Sequence, residues 1–223
     1  MSSRKIKRLS KTNSMSIIYK HDKAVESVLC TISKKYSGYN KFLDVGCGYG
    51  DRTLIFKNSQ REIIGIDYIN YHSKNYKDFT FLNRNFFNSG FSQKSFDIIF
   101  CFDVLEHMEK PERLLSEIHS LLRPGGICIL STPNKLRILG AILIAIGKRK
   151  FPYCLDERNK EKYPEYWHIK EYTGKELRQI ASDNGFQVEK FYKVFYGLTG
   201  GRGFKFLFNL PFYHNSIIVM KKS

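Results

Sequence analysis

The sequence predicts an α/β fold with a doubly wound, mainly parallel sheet, and three observations carry that expectation. Short apolar runs at 41–45, 61–66, 79–83, 96–102 and 126–131 read as strands, with segments of helical pattern between them. Three glycines at alternate positions follow the first run, in Asp44-Val45-Gly46-Cys47-Gly48-Tyr49-Gly50, and let a backbone pass hard against a ligand. Two further runs lead into carboxylates, Asp67 and Asp103, at the strand ends where open α/β sheets bind their ligands.

Taken in order, the chain opens on a polar, basic tail at 1–18 that should be flexible until something binds it. Its Arg, Lys and Ser without acid also suit an organellar transit peptide, although regular amphipathic spacing is lacking. One domain follows, over 19–223. From His21 to Tyr36 the residues Ala24, Val25, Val28, Leu29 and Ile32 recur at helical spacing and give a helix covering the sheet. Pro111 opens a second helix whose buried stripe is Leu114, Leu115, Ile118, Leu121 and Leu122. Arg123-Pro124-Gly125-Gly126 then reads as a turn feeding the strand at 126–131. Thr173 and Glu176 form a capping box for a helix that runs to Gly185. Strands at 186–195 and 213–221 close the chain, separated by a glycine-rich loop.

Between 135 and 171 the pattern breaks, and we read this stretch as an inserted substrate or lid segment. Lys135 and Arg137 surround the apolar run from Leu136 to Ile146, and Lys148-Arg149-Lys150 and an aromatic stretch follow. As a packed helix the run would simply cover the domain. As an interfacial lid it would receive an amphiphilic acceptor, because basic flanks attract an anionic surface while the apolar face enters it. It is far shorter than the roughly 18 residues that span a bilayer, and so is every other apolar run.

At 223 residues, 42% hydrophobic and 15% aromatic, the chain can bury one substantial core. Five single cysteines with no CxxC pair fit a reducing cytoplasm and speak against a cysteine metal site. The net charge of +16 is uneven. Residues 1–20 carry six basic groups and no acid, 21–134 carry 14 and 13, and 135–223 carry 17 and eight. The middle is nearly neutral, so the positive field belongs to the tail and the substrate half, where an anionic membrane, a lipid phosphate or nucleic acid would be attracted.

Four blocks then fall in order: the glycine loop behind Phe42-Leu43, Glu62 to Asp67, Ser95 to Met108, and Leu121 to Gly126. A dinucleotide fingerprint wants its third glycine three residues after the second, whereas here Gly50 comes two after Gly48. Together these blocks resemble the class I S-adenosylmethionine-dependent methyltransferases, in particular the branch of ubiquinone-biosynthesis O-methyltransferases. The resemblance is close over 40–134 and looser over 168–196. It implies a Rossmann-like sheet of seven strands, mainly parallel with an antiparallel last strand, helices on both faces, and S-adenosyl-L-methionine as cofactor. It also implies that Asp44, Gly46, Cys47, Gly48 and Gly50 hold the methionine end, with Phe102 and Asp103 beside it. Asp67 and its neighbour Tyr68 would meet the ribose, and Asn85 with Phe86 the adenine. Asn85 stands where the family usually has Asp; an amide still accepts from the adenine amino group but brings no charge.

Methyl transfer from a sulfonium is an in-line displacement, and a base is needed when the nucleophile is a hydroxyl. His107, the only histidine in the four blocks, directly follows the fourth strand and is the candidate catalytic base. A brace for the element behind the strand is its structural alternative. Asp103, Glu106, His107 and the distant His168 could instead hold a divalent cation, as similar clusters do in metal-dependent relatives such as the small-RNA 2′-O-methyltransferases. Asp103 is shorter than the Glu found there, and the expectation is a site without metal. The acceptor expected is an oxygen of a small-molecule or lipid-linked compound. RNA methylation and non-catalytic cofactor binding are the competing readings.

Overall fold

The computed structural model describes residues 23–148, 150–154, 167–195 and 212–223. The expected flexible tail, the glycine-rich loop after 195 and most of the aromatic stretch before Trp167 lie outside the described residues. Seven strands form one sheet in the order β3-β2-β1-β4-β5-β9-β8. They are β1 Lys41–Val45, β2 Glu62–Asp67, β3 Thr80–Asn83, β4 Phe96–Phe102, β5 Leu122–Pro133, β8 Phe186–Val194 and β9 Asn215–Lys222. β1 to β5 pair in parallel, and β9 runs antiparallel between β5 and β8. β6 (Tyr153–Cys154) and β7 (Trp167–His168) pair separately as a short antiparallel ribbon.

Helices cover both faces, as a doubly wound sheet requires. Alternate residues of β1 and β4 point to opposite sides. Phe42, Ile98 and Phe100 join Val25, Leu29 and Ile32 of α1, which spans 23–35. Leu43, Val45, Ile99 and Cys101 join Leu114, Leu115, Ile118 and Leu121 of α2 (Pro111–Leu121), together with Leu177 and Ala181 of α4 (Gly174–Asp183). Every residue of β4 is buried, the mark of a central strand covered on both faces. The expected capping box is present: Thr173 Oγ1 accepts from Glu176 N, and Glu176 Oε2 accepts from Thr173 N at 2.7 Å.

Two expectations need correction. The segments after β1, β2 and β3 carry single 3-10 turns (Thr53–Phe56, Lys74–Lys77, Phe86–Asn88) where helices were anticipated. The middle one, flanked by Asn70, Tyr71, His72 and Ser73, has no apolar stripe to bury, and most helical stability comes from such burial. The anticipated turn before β5 lies inside that strand: Phe96 pairs with Leu122, the register shifts, and pairing resumes at Ile98 and Ile127. Gly125 takes φ +73 there, and a Cβ on Gly126 would lie 2.9 Å from the Arg123 carbonyl oxygen, so glycines let the chain kink without leaving the sheet.

The segment between β5 and α4 is anchored at both ends. Lys135 N donates to Tyr172 O at 3.1 Å, and Asn134 bridges to Tyr172. Its helix α3 (Ile138–Ala145) leaves Ile142 and, just beyond its end, Ile146 more than half exposed. No helix among the described residues is long and apolar enough to cross a membrane.

Candidate active site

The carboxyl ends of β1, β2 and β4 converge on one cleft. Leaving β1, the chain turns at Gly46 and Cys47, whose amides both donate to Ile66 O on β2. Gly46, Gly48 and Gly50 all take positive φ. A Cβ on Gly46 would lie 2.5 Å from the Val104 side chain and one on Gly50 2.5 Å from the Phe79 ring, so packing excludes side chains there. A Cβ on Gly48 would meet nothing within 4 Å. Gly48 therefore borders open space, the cradle that a ligand's chain would fill.

Asp67 ends β2 and braces that cradle. Its Oδ2 accepts from Gly48 N at 3.0 Å and its Oδ1 from Ile69 N at 2.9 Å. Tyr68 and Tyr49 stand exposed on the rim. Asp44 is buried behind the loop, bonded to the Thr53 hydroxyl, and its Oδ1 has no partner. Burial pushes its carboxyl up to about 7, against the pull of Thr53 and the Arg52 charge. An orphaned buried carboxylate oxygen fits an ammonium group such as that of a methionine moiety. Cys47 lies buried beside it, and burial drives its thiol far above the usual range, so it acts as an apolar spacer.

Asp103 follows β4 with φ +54, a strained conformation for a side-chain-bearing residue. Arg52 Nη1 lies 2.6 Å from its Oδ2, and Ser131 Oγ donates to its Oδ1 at 2.8 Å. Burial would raise this carboxyl, but the Arg52 charge, Ser131 and Asn215 hold it below the usual range. Phe102 is buried just ahead of it, with the Arg52 guanidinium over its ring. Further along the cleft, Asn85 Oδ1 accepts from Phe87 N and caps a 3-10 turn, while Phe86 turns into the core. Asn85 has an amide NH2 and a second oxygen lone pair, a donor and an acceptor of the kind an adenine edge pairs with, while Phe86 packs in the core.

A second cluster sits beyond Asp103. His107 Nδ1 lies 2.7 Å from the Trp167 carbonyl oxygen. A carbonyl only accepts, so Nδ1 carries the proton of the neutral ring and Nε2 is its basic nitrogen. That Nε2 is 4.0 Å from Glu106 Oε1. Glu106 is fully buried and accepts from the Thr132 hydroxyl at 2.8 Å. Burial, reinforced by the Asp103 charge, pushes its carboxyl well above the usual range. The backbone closes the same cluster: Ile169 N and Lys170 N both donate to Glu106 O. Glu106, His107 and His168 each present a ligand atom within 4.8 Å of the others. Asp103 turns away to Arg52, so three of the four residues considered for a cation come together.

Sequence reasoning missed Arg52, Ser131, Thr132, Arg137, Tyr153 and Glu171. Only Glu171, three residues from His168, carried a local signal.

The strand order, the glycine cradle at its centre and carboxylates at the ends of β1 and β2 define a class I S-adenosylmethionine-dependent methyltransferase. A model of the family described as the methyltransferase domain matches residues 3–190, and the chain belongs to that family. It is similar to a ubiquinone biosynthesis O-methyltransferase of Psychrobacter arcticus, 28% identical over 158 residues that cover 66% of this chain and 58% of that protein. A protein of Mycolicibacterium smegmatis, named a probable S-adenosylmethionine-dependent methyltransferase, is 28% identical across 70% of this chain and 55% of its own length. The chain thus spans rather more than half the length of these curated relatives. Among solved structures, a Burkholderia thailandensis 1,6-didemethyltoxoflavin-N1-methyltransferase aligns over 97% of this chain and 86% of its own, with TM-score 0.64 and 15% identity. A magnesium protoporphyrin IX methyltransferase from Synechocystis gives TM-score 0.61 at 18% identity, over 92% and 86%. At these identities the likeness is one of fold.

Proposed function

We propose that the chain transfers a methyl group from S-adenosylmethionine to an oxygen of a small-molecule or lipid-linked acceptor, with His107 as the base. The carrying observation is the His107 Nδ1 bond to the Trp167 carbonyl, which sets the tautomer so that Nε2 is the basic nitrogen, at the end of β4 just past the cofactor cradle. The bound cofactor supplies a methyl carbon made electrophilic by its sulfonium. The residues here do the rest. Asp44 holds the ammonium of the methionine end, the open backbone at Gly48 makes room for its chain, Asp67 accepts from the ribose hydroxyls, and Asn85 meets the adenine. His107 Nε2 would take the proton of an acceptor hydroxyl placed at the end of β4, readying its oxygen for the methyl group that the cofactor supplies. Similarity to ubiquinone biosynthesis O-methyltransferases favours an oxygen acceptor. The exposed Ile142 and Ile146 beside Lys148 favour one that partitions into a membrane interface.

Incubation with labelled S-adenosylmethionine and fractionated lipid, soluble-metabolite and RNA extracts tests this reading. Label in the lipid or soluble fraction supports it, and label in RNA alone overturns it.

One observation favours a second reading. Both histidines have Nδ1 bonded to an oxygen, His107 to Trp167 O and His168 to Glu171, the arrangement by which metal-binding imidazoles are oriented. Two such rings and a buried carboxylate fit the donor set of a divalent cation, which would bind the acceptor oxygen and lower its pKa. Activity lost to EDTA and restored by Mg2+, Mn2+ or Zn2+ would favour that reading.

A further inference from the structure

Arg137, Tyr153, His168 and Glu171 form a buried polar network outside the cofactor cradle. Glu171 is fully buried. Arg137 grips it in a two-pronged fork, Nη1 to Oε2 at 2.7 Å and Nη2 to Oε1 at 2.6 Å. The Tyr153 hydroxyl donates to the same Oε1 and accepts from Arg137 Nη2 at 2.6 Å. His168 Nδ1 lies 2.8 Å from that oxygen. The Arg137 fork and the Tyr153 hydroxyl all donate to the two Glu171 oxygens, the geometry of a carboxylate that serves as acceptor.

A buried ion pair is a poor device for stability, because desolvation offsets most of the attraction and an apolar pair of similar volume does as well. A specific orientation is what such a network supplies better than packing. Here the carboxylate oxygen can only accept, so the proton of neutral His168 sits on Nδ1 and Nε2 keeps its lone pair. All four residues belong to the segment between β5 and α4, and the ring they orient packs edge-on to His107, on the turn after β4, at 5.1 Å between centroids.

We propose that Glu171 is a positioning residue: clamped by Arg137 and Tyr153 of the inserted segment, it fixes the tautomer and ring orientation of His168 beside His107. The segment thereby carries its own means of presenting His168 to His107. The inference rests on the reading of this end of β4 as the acceptor site.

Histidine 15N NMR on the full chain decides the tautomer without any acceptor. Wild type should show His168 protonated at Nδ1. Glu171→Gln, which removes the charge and keeps the shape, should give a mixture of tautomers. Since that variant strands the Arg137 charge, the paired change Arg137→Met with Glu171→Leu removes both charges together and keeps the fold. It should likewise release the tautomer. Turnover should fall about 10- to 100-fold, as for other groups that orient a functional imidazole, with S-adenosylmethionine affinity within about twofold of wild type. A paired variant that retains the Nδ1-protonated signature and full turnover overturns the proposal. Absence of turnover in wild type with every acceptor fraction would sink the methyl-transfer reading, and the NMR result would still decide the role of Glu171.

Discussion

The two halves of the cleft solve the burial of charge in opposite ways. On the cofactor side Asp67 accepts from two backbone amides, and Arg52 holds the Asp103 carboxyl below the usual range. Across the cleft Glu106 sits among His107, His168 and Thr132, and burial with the Asp103 charge pushes its carboxyl well above the usual range. The difference matches the tasks. Fixed charges suit a site that only holds a ligand, whereas proton removal or cation binding suits groups whose protonation can change; Asp44, pushed up by burial to about 7, is of the second kind although it lies on the cofactor side.

The largest expected effect removes the cofactor side alone. Gly48→Val places a branched side chain in the open space of the cradle and strains a φ of +52, by about 1–3 kcal/mol. Because the added Cβ meets no protein atom within 4 Å, the chain should still fold while affinity for S-adenosylmethionine and S-adenosylhomocysteine drops on the order of a hundredfold or more. Calorimetry reads it. A folded wild type that gives no heat with either ligand would remove the assignment of this cleft.

His107→Ala does the reverse, striking the acceptor side and sparing the cradle. Turnover should fall about 10²- to 10⁴-fold with cofactor affinity nearly unchanged, because a base acts on the developing transition state. A variant that loses cofactor affinity and turnover in equal measure would show that the two halves are not separable.

What the sequence made legible follows the same division. β1, β2 and β4 were readable because a buried parallel strand is a bare apolar run, and the loop because Gly46, Gly48 and Gly50 are spaced for one task. The partners on the acceptor side are separated by long stretches of chain. Arg137 meets Glu171 across 34 residues and Trp167 meets His107 across 60, and no local pattern encodes such pairs. Arg52 was near enough to the glycines to be noticed, yet its pairing with Asp103 arises only when β1 and β4 lie side by side. The missing helices after β2 and β3 were a different failure, since short polar connections carry too little periodicity to tell a helix from a single turn.

A smaller effect is carried by pH. With its carboxyl near 7 in the folded state, Asp44 holds a proton there that the unfolded chain would release at about 4. The stability this contributes is full below about 4 and is lost as pH rises through about 7. Binding of an ammonium runs the other way, since only the ionised Asp44 attracts it. Affinity for S-adenosylmethionine should weaken as pH falls below about 7, by up to about tenfold per unit, and Asp44→Asn should flatten that slope. A wild-type profile flat between pH 5.5 and 8 would mean that Asp44 shapes the loop without meeting the ligand.

The smallest effect concerns the cover over the acceptor side. Ile142 and Ile146 are 52% and 57% exposed beside a basic flank. Each Lys or Arg near an anionic surface contributes about 1 kcal/mol, and burying the remaining face of each isoleucine adds on the order of 1 kcal/mol. Sedimentation with phosphatidylglycerol vesicles at low salt should therefore show reversible binding. Ile142→Ser with Ile146→Ser should weaken it about tenfold, since roughly 1.4 kcal/mol is one decade. The basic residues before position 14 would attract the same vesicles, so a chain lacking 1–13 is the necessary control. Binding lost only in that shortened chain would make α3 an ordinary covering helix. Binding lost in the isoleucine variant, with the cofactor affinity of wild type, would place the lipid surface on the acceptor half alone, where the protonatable cluster lies.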